Sequence, residues 1–203
     1  MASLFDTLQA NAFRAGIQAR TTDSRKWFQS KIADMSVPSR AKLLKDPALE
    51  KTNRDVVGSM YMYVYDPKHK KTLPYYDRFP LSIIVQPAEG GFHGLNLHYL
   101  NYNTRAAFLD ELMDLAPKKL NNTTRIRKLR YDLIQGTRKY KEFKPCFKHY
   151  LTKHIKTQLT RVPMTEWEIA IFLPVEQFKK QSVAAVWKDS NRIAKQKWTQ
   201  TNY

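Results

Sequence analysis

Cysteine, glycine and long apolar runs are scarce in this sequence of 203 residues. Because Cys146 is the single cysteine, the chain can form neither an intrachain disulfide nor a cysteine-based zinc site. The six glycines lack the spacing of phosphate-binding or dinucleotide-binding loops, so no cofactor is predicted. No stretch approaches the roughly 18 apolar residues of a membrane span, and the first residues lack a secretory signal pattern. We therefore expect a protein made in the cytoplasm, with no membrane partner.

Acidic residues are also few, with 18 Asp and Glu against 35 Lys and Arg, which leaves a formal net charge of +17. Such an excess repels itself in a compact chain unless a polyanion accepts it. Nucleic acid is the leading candidate for that polyanion. The chain is nevertheless 42% hydrophobic and 12% aromatic, which is enough for one sizeable core and is untypical of a disordered chain.

Helical periodicity begins the chain and then changes to a period of two. Apolar residues recur at helical spacing after Ser3, and Thr22 or Asp23 is predicted to cap a second helix. From Gly58 onward methionines and tyrosines alternate, which predicts a strand, and further strands are predicted at 81–86 and 92–99. Three neighbouring strands indicate an antiparallel meander.

The second half of the chain is predicted to be mainly helical. Helices are expected at 104–115 and near 126–133, followed by a helix that begins at Pro145 and includes Ile155. Alternating apolar residues at 167–173 predict a late strand, and Pro174 is predicted to open a last helix that reaches Lys188. The fold class is therefore predicted as α+β, with a small antiparallel sheet surrounded by helices. An SH3-like arrangement is one form that such a sheet can take.

Three segments are predicted from these patterns. Residues 1–50 form an N-terminal helical segment, and residues 51–189 form an α+β main domain that includes a basic helical region at 118–156. Residues 190–203 have little apolar periodicity and are predicted to be a loosely attached C-terminal tail.

Positive charge is concentrated at 118–156, where thirteen Lys or Arg and two acids leave a net charge of +11 in 39 residues. Such a surface can neutralise phosphates without base preference, although a solvated charged face is the ordinary alternative. Tyr140 and Phe143 are candidates for contact with a strand end. The predicted nucleic-acid-binding residues are Lys118, Lys119, Arg125, Arg127, Lys128, Arg130, Arg138, Lys139, Lys141 and Lys144.

Two other groups of residues are weaker candidates for function. Asp66, Asp77, His93 and His98 could serve a nuclease, but they lack metal-ligand spacing, and a strand histidine is more often a packing residue. No catalytic residue and no metal site is therefore predicted. The proline-bounded tyrosine loop at 73–81 favours a structural role over a docking role.

The runs MYMYVYDPKHKKTLPYYDRFPLSIIV, GGFHGLNLHYL and EWEIAIFLPVEQF resemble proteins of T-even-like contractile-tailed bacteriophages, including those of cyanophages. The pattern is similar to the DNA end protector family of head-completion proteins, and the resemblance covers roughly residues 3 to 190. It implies a virion protein that binds the ends of packaged double-stranded DNA and shields them from host exonuclease during genome entry. It also implies contacts with other head, portal or neck proteins. No catalytic residue set follows from this resemblance.

Two alternatives remain open from the sequence. The protein could be a purely architectural neck or baseplate component whose charge meets other virion proteins. It could also be a nuclease or another DNA-processing enzyme. We predict a non-enzymatic protein that binds DNA ends.

Overall fold

The structure of the protein is a computed structural model, and it describes residues 3–114, 136 and 141–195. The helices with described bounds are α1 (Leu4–Arg14), α2 (Thr22–Ala33), α3 (Arg40–Leu44), α4 (Tyr102–Asp114), α5 (Trp167–Ala170) and α6 (Val183–Lys195). The described strands are β1 (Glu50–Thr52), β2 (Met60–Met62), β3 (Tyr76–Asp77), β4 (Leu81–Ala88), β5 (Gly91–Asn96), β6 (Phe147–Leu151), β7 (Leu159–Val162) and β8 (Phe178–Lys179). Short 3-10 helices occur at Leu97–Tyr99, Lys141–Cys146, Thr152–His154 and Met164–Glu166.

Side-chain caps fix where the first two helices begin. The Ser3 hydroxyl accepts a hydrogen bond from the Phe5 amide at 3.1 Å, which caps α1. The predicted cap of α2, Thr22 or Asp23, was one or two residues late, because Thr21 is the cap and forms a reciprocal capping box with Ser24. Such caps satisfy backbone amides that have no partner inside the helix.

An antiparallel sheet organises the described part of the chain. Its strand order is β1-β7-β2-β4-β5-β6, and β3 pairs with β8 in a separate two-stranded sheet. The neighbours β2, β4 and β5 form the predicted meander, with Met60 opposite Ile83 and Ile83 opposite Leu95. The predicted α+β class with an antiparallel sheet is confirmed, while the SH3-like arrangement stays a prediction.

Alternation along residues 60–65 buries both faces of the sheet. Met60 and Met62 belong to the main core, which α1, α2, α4, α5 and α6 cover. Tyr61, Tyr63 and Tyr65 point to the opposite face and join a smaller core. The smaller core is closed by edge-to-face ring contacts, such as that between Tyr63 and Tyr150 at 5.5 Å, a geometry that aromatic rings prefer.

The helix predicted to begin at Pro145 was wrong. Pro145 lies in the last turn of a 3-10 helix, and the next residues form β6 along the edge of β5. Gly91 permits this pairing, because a Cβ atom there would lie 1.9 Å from the carbonyl oxygen of Tyr150. The open edge of β5 offers unpaired backbone groups, so tertiary pairing overrides the helical spacing of the apolar residues. The predicted basic helical region 118–156 is therefore not helical over residues 147–151.

The strand predicted at 167–173 was also wrong. These residues form α5 and the turn after it, and every residue from Trp167 to Leu173 is buried. Alternation loses its meaning where both faces of a segment are covered. The late strand of the sheet is instead β7, which pairs with β1 and β2.

The last helix lies further along the chain than predicted. Residues after Pro174 include β8, and α6 begins at Val183 and ends at Lys195. Ser190, the first residue of the predicted tail, is buried within this helix. Residues 196–203 lie outside the described residues, and the division of the chain into three segments stays a prediction.

Buried guanidinium groups tie two helices to the core. Arg105 of α4 is fully buried and donates to backbone carbonyl oxygens and to a carboxylate oxygen of Glu176, the latter at 2.5 Å. Arg25 of α2 donates to a carboxylate oxygen of Glu168 at 3.1 Å. Because an unpaired buried charge costs several kcal/mol, these pairs fix where α2 and α4 lie.

Candidate nucleic-acid interface

The exposed face of α6 carries a row of cations. Val186 and Ser190 are buried, and the Trp187 indole N–H donates to the carbonyl oxygen of His98 at 2.9 Å. These contacts fix the rotation of the helix, so its opposite face points to solvent. The exposed residues of that face include Lys188, Asn191, Arg192 and Lys195.

The spacing of this row suits it to a phosphate backbone. Lys188, Arg192 and Lys195 follow one another at i, i+4 and i+7, which places them on one side of a helix. Together with Asn191 they line an open pocket of about 470 Å³. Ammonium, guanidinium and amide groups all donate hydrogen bonds to phosphate oxygens. The three cations Lys188, Arg192 and Lys195, which we call the α6 row, can therefore bind backbone phosphates without reading base identity.

The acid within this helix is already engaged by protein groups. Asp189 accepts hydrogen bonds from the Tyr75 hydroxyl at 2.5 Å and from Arg192 at 2.6 Å. The hydrogen bond from Tyr75 and then that from Arg192 hold the pKa of Asp189 below its ordinary value. Asp189 thus remains ionised at neutral pH, and one carboxylate stands among three cations.

α6 lies beside part of the predicted basic region. α6 packs against the 3-10 helix Lys141–Cys146. Lys144 is exposed on that helix, so it can extend the cationic surface of α6. Lys141 belongs to the same 3-10 helix, but its side chain lies outside the described residues.

The remaining predicted DNA-binding residues also lie outside the described residues. They are Lys118, Lys119, Arg125, Arg127, Lys128, Arg130, Arg138 and Lys139. Their joint role in binding nucleic acid therefore stays a prediction.

Two other members of the basic region serve the core. Lys148 lies with its ammonium group 4.1 Å from the centre of the Tyr99 ring, and burial lowers the pKa of Lys148. Phe143 is buried and packs against Phe108, with ring centres 4.9 Å apart. The prediction that Phe143 contacts a strand end was wrong, because its ring is not accessible. Tyr140, its predicted companion, lies outside the described residues.

Asp77 and His98 meet, but in the interior. Oδ2 of Asp77 lies 2.7 Å from Nδ1 of His98 and accepts a hydrogen bond from Asn96 at 3.1 Å, while Oδ1 accepts from the amides of Phe79 and Gln177. Burial alone would raise the pKa of Asp77. The attraction and hydrogen bond of His98, with smaller effects of the hydrogen bonds from Phe79 and Asn96, outweigh burial and hold the pKa below its ordinary value. A pair buried this deeply organises the sheet corner and offers no access to a DNA strand.

The other two residues considered for nuclease chemistry are elsewhere. Asp66 pairs with Lys70 in a surface loop at 2.9 Å, and His93 lies on β5 with Nδ1 3.0 Å from the Gln86 amide. Among the described residues no cluster of His, Cys, Asp or Glu could hold a metal ion. The four residues therefore do not form one open site.

The tyrosine loop at 73–81 connects the sheets to α6. Its residues Tyr76 and Asp77 form β3, while Tyr75 packs between Tyr99 and Phe178 and bonds Asp189 of α6. The hydrogen bond of Tyr75 therefore helps to fix the position of α6.

The α6 row was not predicted from the sequence. Its residues were assigned partly to a shorter helix and partly to a loose tail. The i, i+4, i+7 spacing of Lys188, Arg192 and Lys195 is visible in the sequence. Together with the apolar residue Val186 in the same segment, this spacing could have indicated an amphipathic helix with a basic face.

Comparisons with known proteins identify a family. No helix within the described residues is long and apolar enough to cross a bilayer. No curated protein matches the chain, and neither does any solved structure. The sequence model of one family, described as "Phage T4 terminal DNA protecting protein", matches residues 3–191. Because this match covers nearly the whole chain, the protein belongs to the family of phage T4 terminal DNA protecting proteins.

Proposed function

We propose that this protein binds the ends of linear double-stranded DNA without sequence preference and shields them from host exonuclease. Binding would use the predicted cations between Lys118 and Lys144 together with the α6 row. The family is a DNA protecting family, which is a non-catalytic role, and we extend that role to this chain. The protein would act in the virion, during head completion and genome entry, beside other head, portal or neck proteins.

The observation that carries this proposal is the concentration of positive charge. Residues 118–156 hold +11 of the net charge of +17, and α6, which packs against the 3-10 helix of Lys144, adds three exposed cations. A surface that neutralises several phosphates releases condensed counterions, and this release drives binding to any sequence. Sequence independence suits a protein that must accept whatever sequence a packaged genome ends with.

Shielding follows from occupation of the terminus. An exonuclease must engage the last nucleotides before it can cleave, so a protein bound there excludes it without chemistry. No ATP, metal or cofactor is needed for such exclusion. Protection should therefore rise with occupancy and fall when binding weakens.

A comparison of linear and covalently closed duplex DNA tests the proposal. In gel-shift titrations at low salt, the protein should bind the linear form more tightly. With an added processive exonuclease, linear DNA should survive in proportion to the fraction bound. Incubation of plasmid with the protein and Mg²⁺ or Mn²⁺ should leave the DNA intact.

Each alternative gives a different result. Absence of binding at low salt would favour an architectural role in the neck or baseplate. Equal affinity for linear and closed DNA would reduce the function to general DNA coating. Cleavage of the plasmid would show a nuclease, and the non-enzymatic proposal would be wrong.

A further inference from the structure

Three loops meet in the structure, and two of them are joined by backbone hydrogen bonds. The loop at 66–73 begins where the amide of Asp66 donates to the carbonyl oxygen of His154 at 3.0 Å. The second loop, 152–156, ends where the amide of Lys156 donates to the carbonyl oxygen of Val64 at 2.8 Å. These two bonds flank an isolated bridge between residues 65 and 155, so the two loops have a fixed relation.

The third loop, 178–181, is joined to the first by strand pairing and by a side chain. Tyr76 of β3 pairs with Lys179 of β8. The ammonium group of Lys180 donates to the carbonyl oxygens of Lys71 and Leu73, at 2.9 and 2.7 Å. Lys180 has a φ of +72°, a conformation that costs about 1 kcal/mol or more for a residue with a side chain. The surrounding contacts maintain it.

These loops form a strongly cationic surface, which we call the lysine surface. Its residues are Lys68, Lys70, Lys71, Lys153, Lys156, Lys179 and Lys180, all of them exposed. Asp66 is the one acid in the three loops, and Lys70 pairs with it at 2.9 Å. The hydrogen bond from Lys70, with smaller effects of Lys156 and Arg78, lowers the pKa of Asp66. The cations of separate loops therefore converge on one place.

The lysine surface is separate from the core of the fold and is suited to phosphate. Lysine presents a flexible, strongly hydrated point charge, which binds phosphates without reading bases. Like charges held on neighbouring loops repel one another, and an anionic partner relieves this cost. The described aromatic residues next to these loops, such as Tyr65 and Phe178, are at least partly buried, so they do not offer stacking for unpaired bases.

The spacing between the lysine surface and the α6 row matches a short stretch of duplex. Lys180 lies three residues before the start of α6, and Lys195 ends that helix. At about 1.5 Å per helical residue, Lys188 and Lys195 lie about 8 and about 18 Å along the axis from Val183, which corresponds to roughly two to five base pairs at about 3.4 Å per pair. The residues between Lys180 and Lys188 include no acid, and Asp189, the acid within α6, is already engaged by Tyr75 and Arg192.

We propose that the lysine surface is a second phosphate-binding site, which contacts the duplex several base pairs behind the end held at the α6 row. This inference rests on the proposed function, because it assumes that a DNA end is bound near α6. It adds that the protein holds the body of the duplex as well as its terminus. A bound end would then be fixed in direction as well as in place.

The test uses the full chain with three exposed lysines neutralised, Lys68→Gln, Lys71→Gln and Lys156→Gln. Glutamine keeps most of the side-chain length, and Lys70 and Lys180 are retained because they hold the loops. A matched control neutralises three exposed cations of α1 and α2, Arg14→Gln, Lys26→Gln and Lys31→Gln. Circular dichroism and thermal unfolding establish that all three proteins are folded.

Fluorescence anisotropy with a labelled 30-base-pair duplex is then measured over a salt series. The lysine-surface variant should bind about tenfold or more weakly than the wild type at low salt. The slope of log affinity against log salt should become shallower by up to about 3, since each lost phosphate contact removes about 0.9. Its preference for linear over closed DNA should persist, because the lost contacts lie on the duplex body. The control should stay close to the wild type in slope.

The outcomes separate this inference from the proposed function. If the wild type binds and prefers ends, but the lysine-surface variant matches the control in affinity and slope, the second site is refuted while end binding stands. If the variant binds as tightly as before to closed DNA and loses only end preference, the lysine surface contacts the terminus and our assignment of it is wrong. If the wild type does not bind DNA, the proposed function fails and the inference fails with it.

Discussion

Individual buried polar residues have structural roles in this protein. Asp77 accepts four hydrogen bonds, from a histidine, an asparagine and two backbone amides. Its partners belong to β5, to the 3-10 helix after β5, to the turn before β4 and to the residue before β8. One carboxylate therefore joins the two sheets, which explains why an acid is buried in a chain with few acids.

The Asp77→Asn variant should unfold more easily at neutral pH. Removing one partner of a buried charged network costs about 3–5 kcal/mol. Because the pKa of Asp77 is lowered in the folded protein, its carboxylate contributes fully above its unfolded pKa of about 3.9. That contribution is lost as the pH falls through the folded pKa. Urea unfolding at several pH values should therefore show a gap between wild type and variant at pH 7 that narrows below about pH 4.

The surface acid Asp66 is the control for this experiment. It forms one exposed ion pair with Lys70, and such pairs contribute little to stability because water and salt screen them. Asp66→Asn should therefore change the free energy of unfolding much less than Asp77→Asn. Similar losses in both variants would contradict the structural role of Asp77.

Cys146 should be unreactive in the folded protein. Its thiol is buried and donates to the carbonyl oxygen of Phe143 at 3.0 Å, and burial raises the pKa of Cys146 to about 12. Because the thiolate is the reactive form, iodoacetamide at pH 8 should modify the folded chain at least tenfold more slowly than the chain in urea. Mass spectrometry measures both rates. Equal rates would show that the 3-10 helix containing Cys146 opens readily.

At the scale of elements, the sequence predicted strands correctly where the apolar pattern fits a strand and does not also fit a helix. The alternation of Met60 to Tyr65 indicates a strand because its two side-chain sets enter two different cores. The segment from Phe147 to Leu151 misled, since its apolar positions also fit a helix. The free edge of β5 and the space left by Gly91 make this segment a strand instead of a helix. Neither feature can be predicted from the residues of the segment itself.

The candidate site was predicted only in part, because some of its features depend on contacts between residues that are far apart in sequence. Net charge and its concentration can be counted from the sequence, so a phosphate-binding surface could be predicted. The lysine surface is formed by loops that are far apart in sequence, and only the pairing of β3 with β8 and the contact between 65 and 155 bring them together. The basic face of α6 could have been read from the spacing of its cations, but its contacts with the tyrosine loop and with the 3-10 helix Lys141–Cys146 could not.

Neutralising the α6 row should weaken the binding of DNA. The variant Lys188→Gln, Arg192→Gln, Lys195→Gln removes three cations from one exposed face, where substitutions change stability by about 0.5 kcal/mol or less each. Its affinity for linear duplex at low salt should fall by about tenfold or more. The preference for linear over closed DNA should also fall, in contrast to the lysine-surface variant. Anisotropy titrations with both DNA forms measure this.

The control for the α6 row is again Arg14→Gln, Lys26→Gln, Lys31→Gln, which removes the same charge from α1 and α2. A loss of affinity that is equal in the control and the α6 variant would mean that net charge alone governs binding. The row would then have no local role. A loss confined to the α6 variant would support its assignment to the DNA end.

For the whole molecule, the net charge of +17 has opposite consequences for the free and the bound protein. In the free protein like charges repel, which destabilises the compact state. DNA removes this repulsion, and binding to the folded form alone adds stability by mass action. Salt screens both the repulsion and the attraction to DNA, with a screening length of about 10 Å at 0.1 M.

As salt rises, the unfolding temperature of the free protein and the increase in that temperature caused by DNA should therefore change in opposite directions. Without DNA, the unfolding temperature should rise between about 20 and 200 mM NaCl, because screening relieves self-repulsion. With excess linear duplex, the increase caused by DNA should shrink over the same range, because a protein with 6–10 phosphate contacts loses about 10³–10⁵ in affinity between about 50 and 200 mM salt. The two curves should converge at high salt. Differential scanning fluorimetry with and without duplex measures both, and an increase caused by DNA that is independent of salt would refute phosphate binding as the source of affinity.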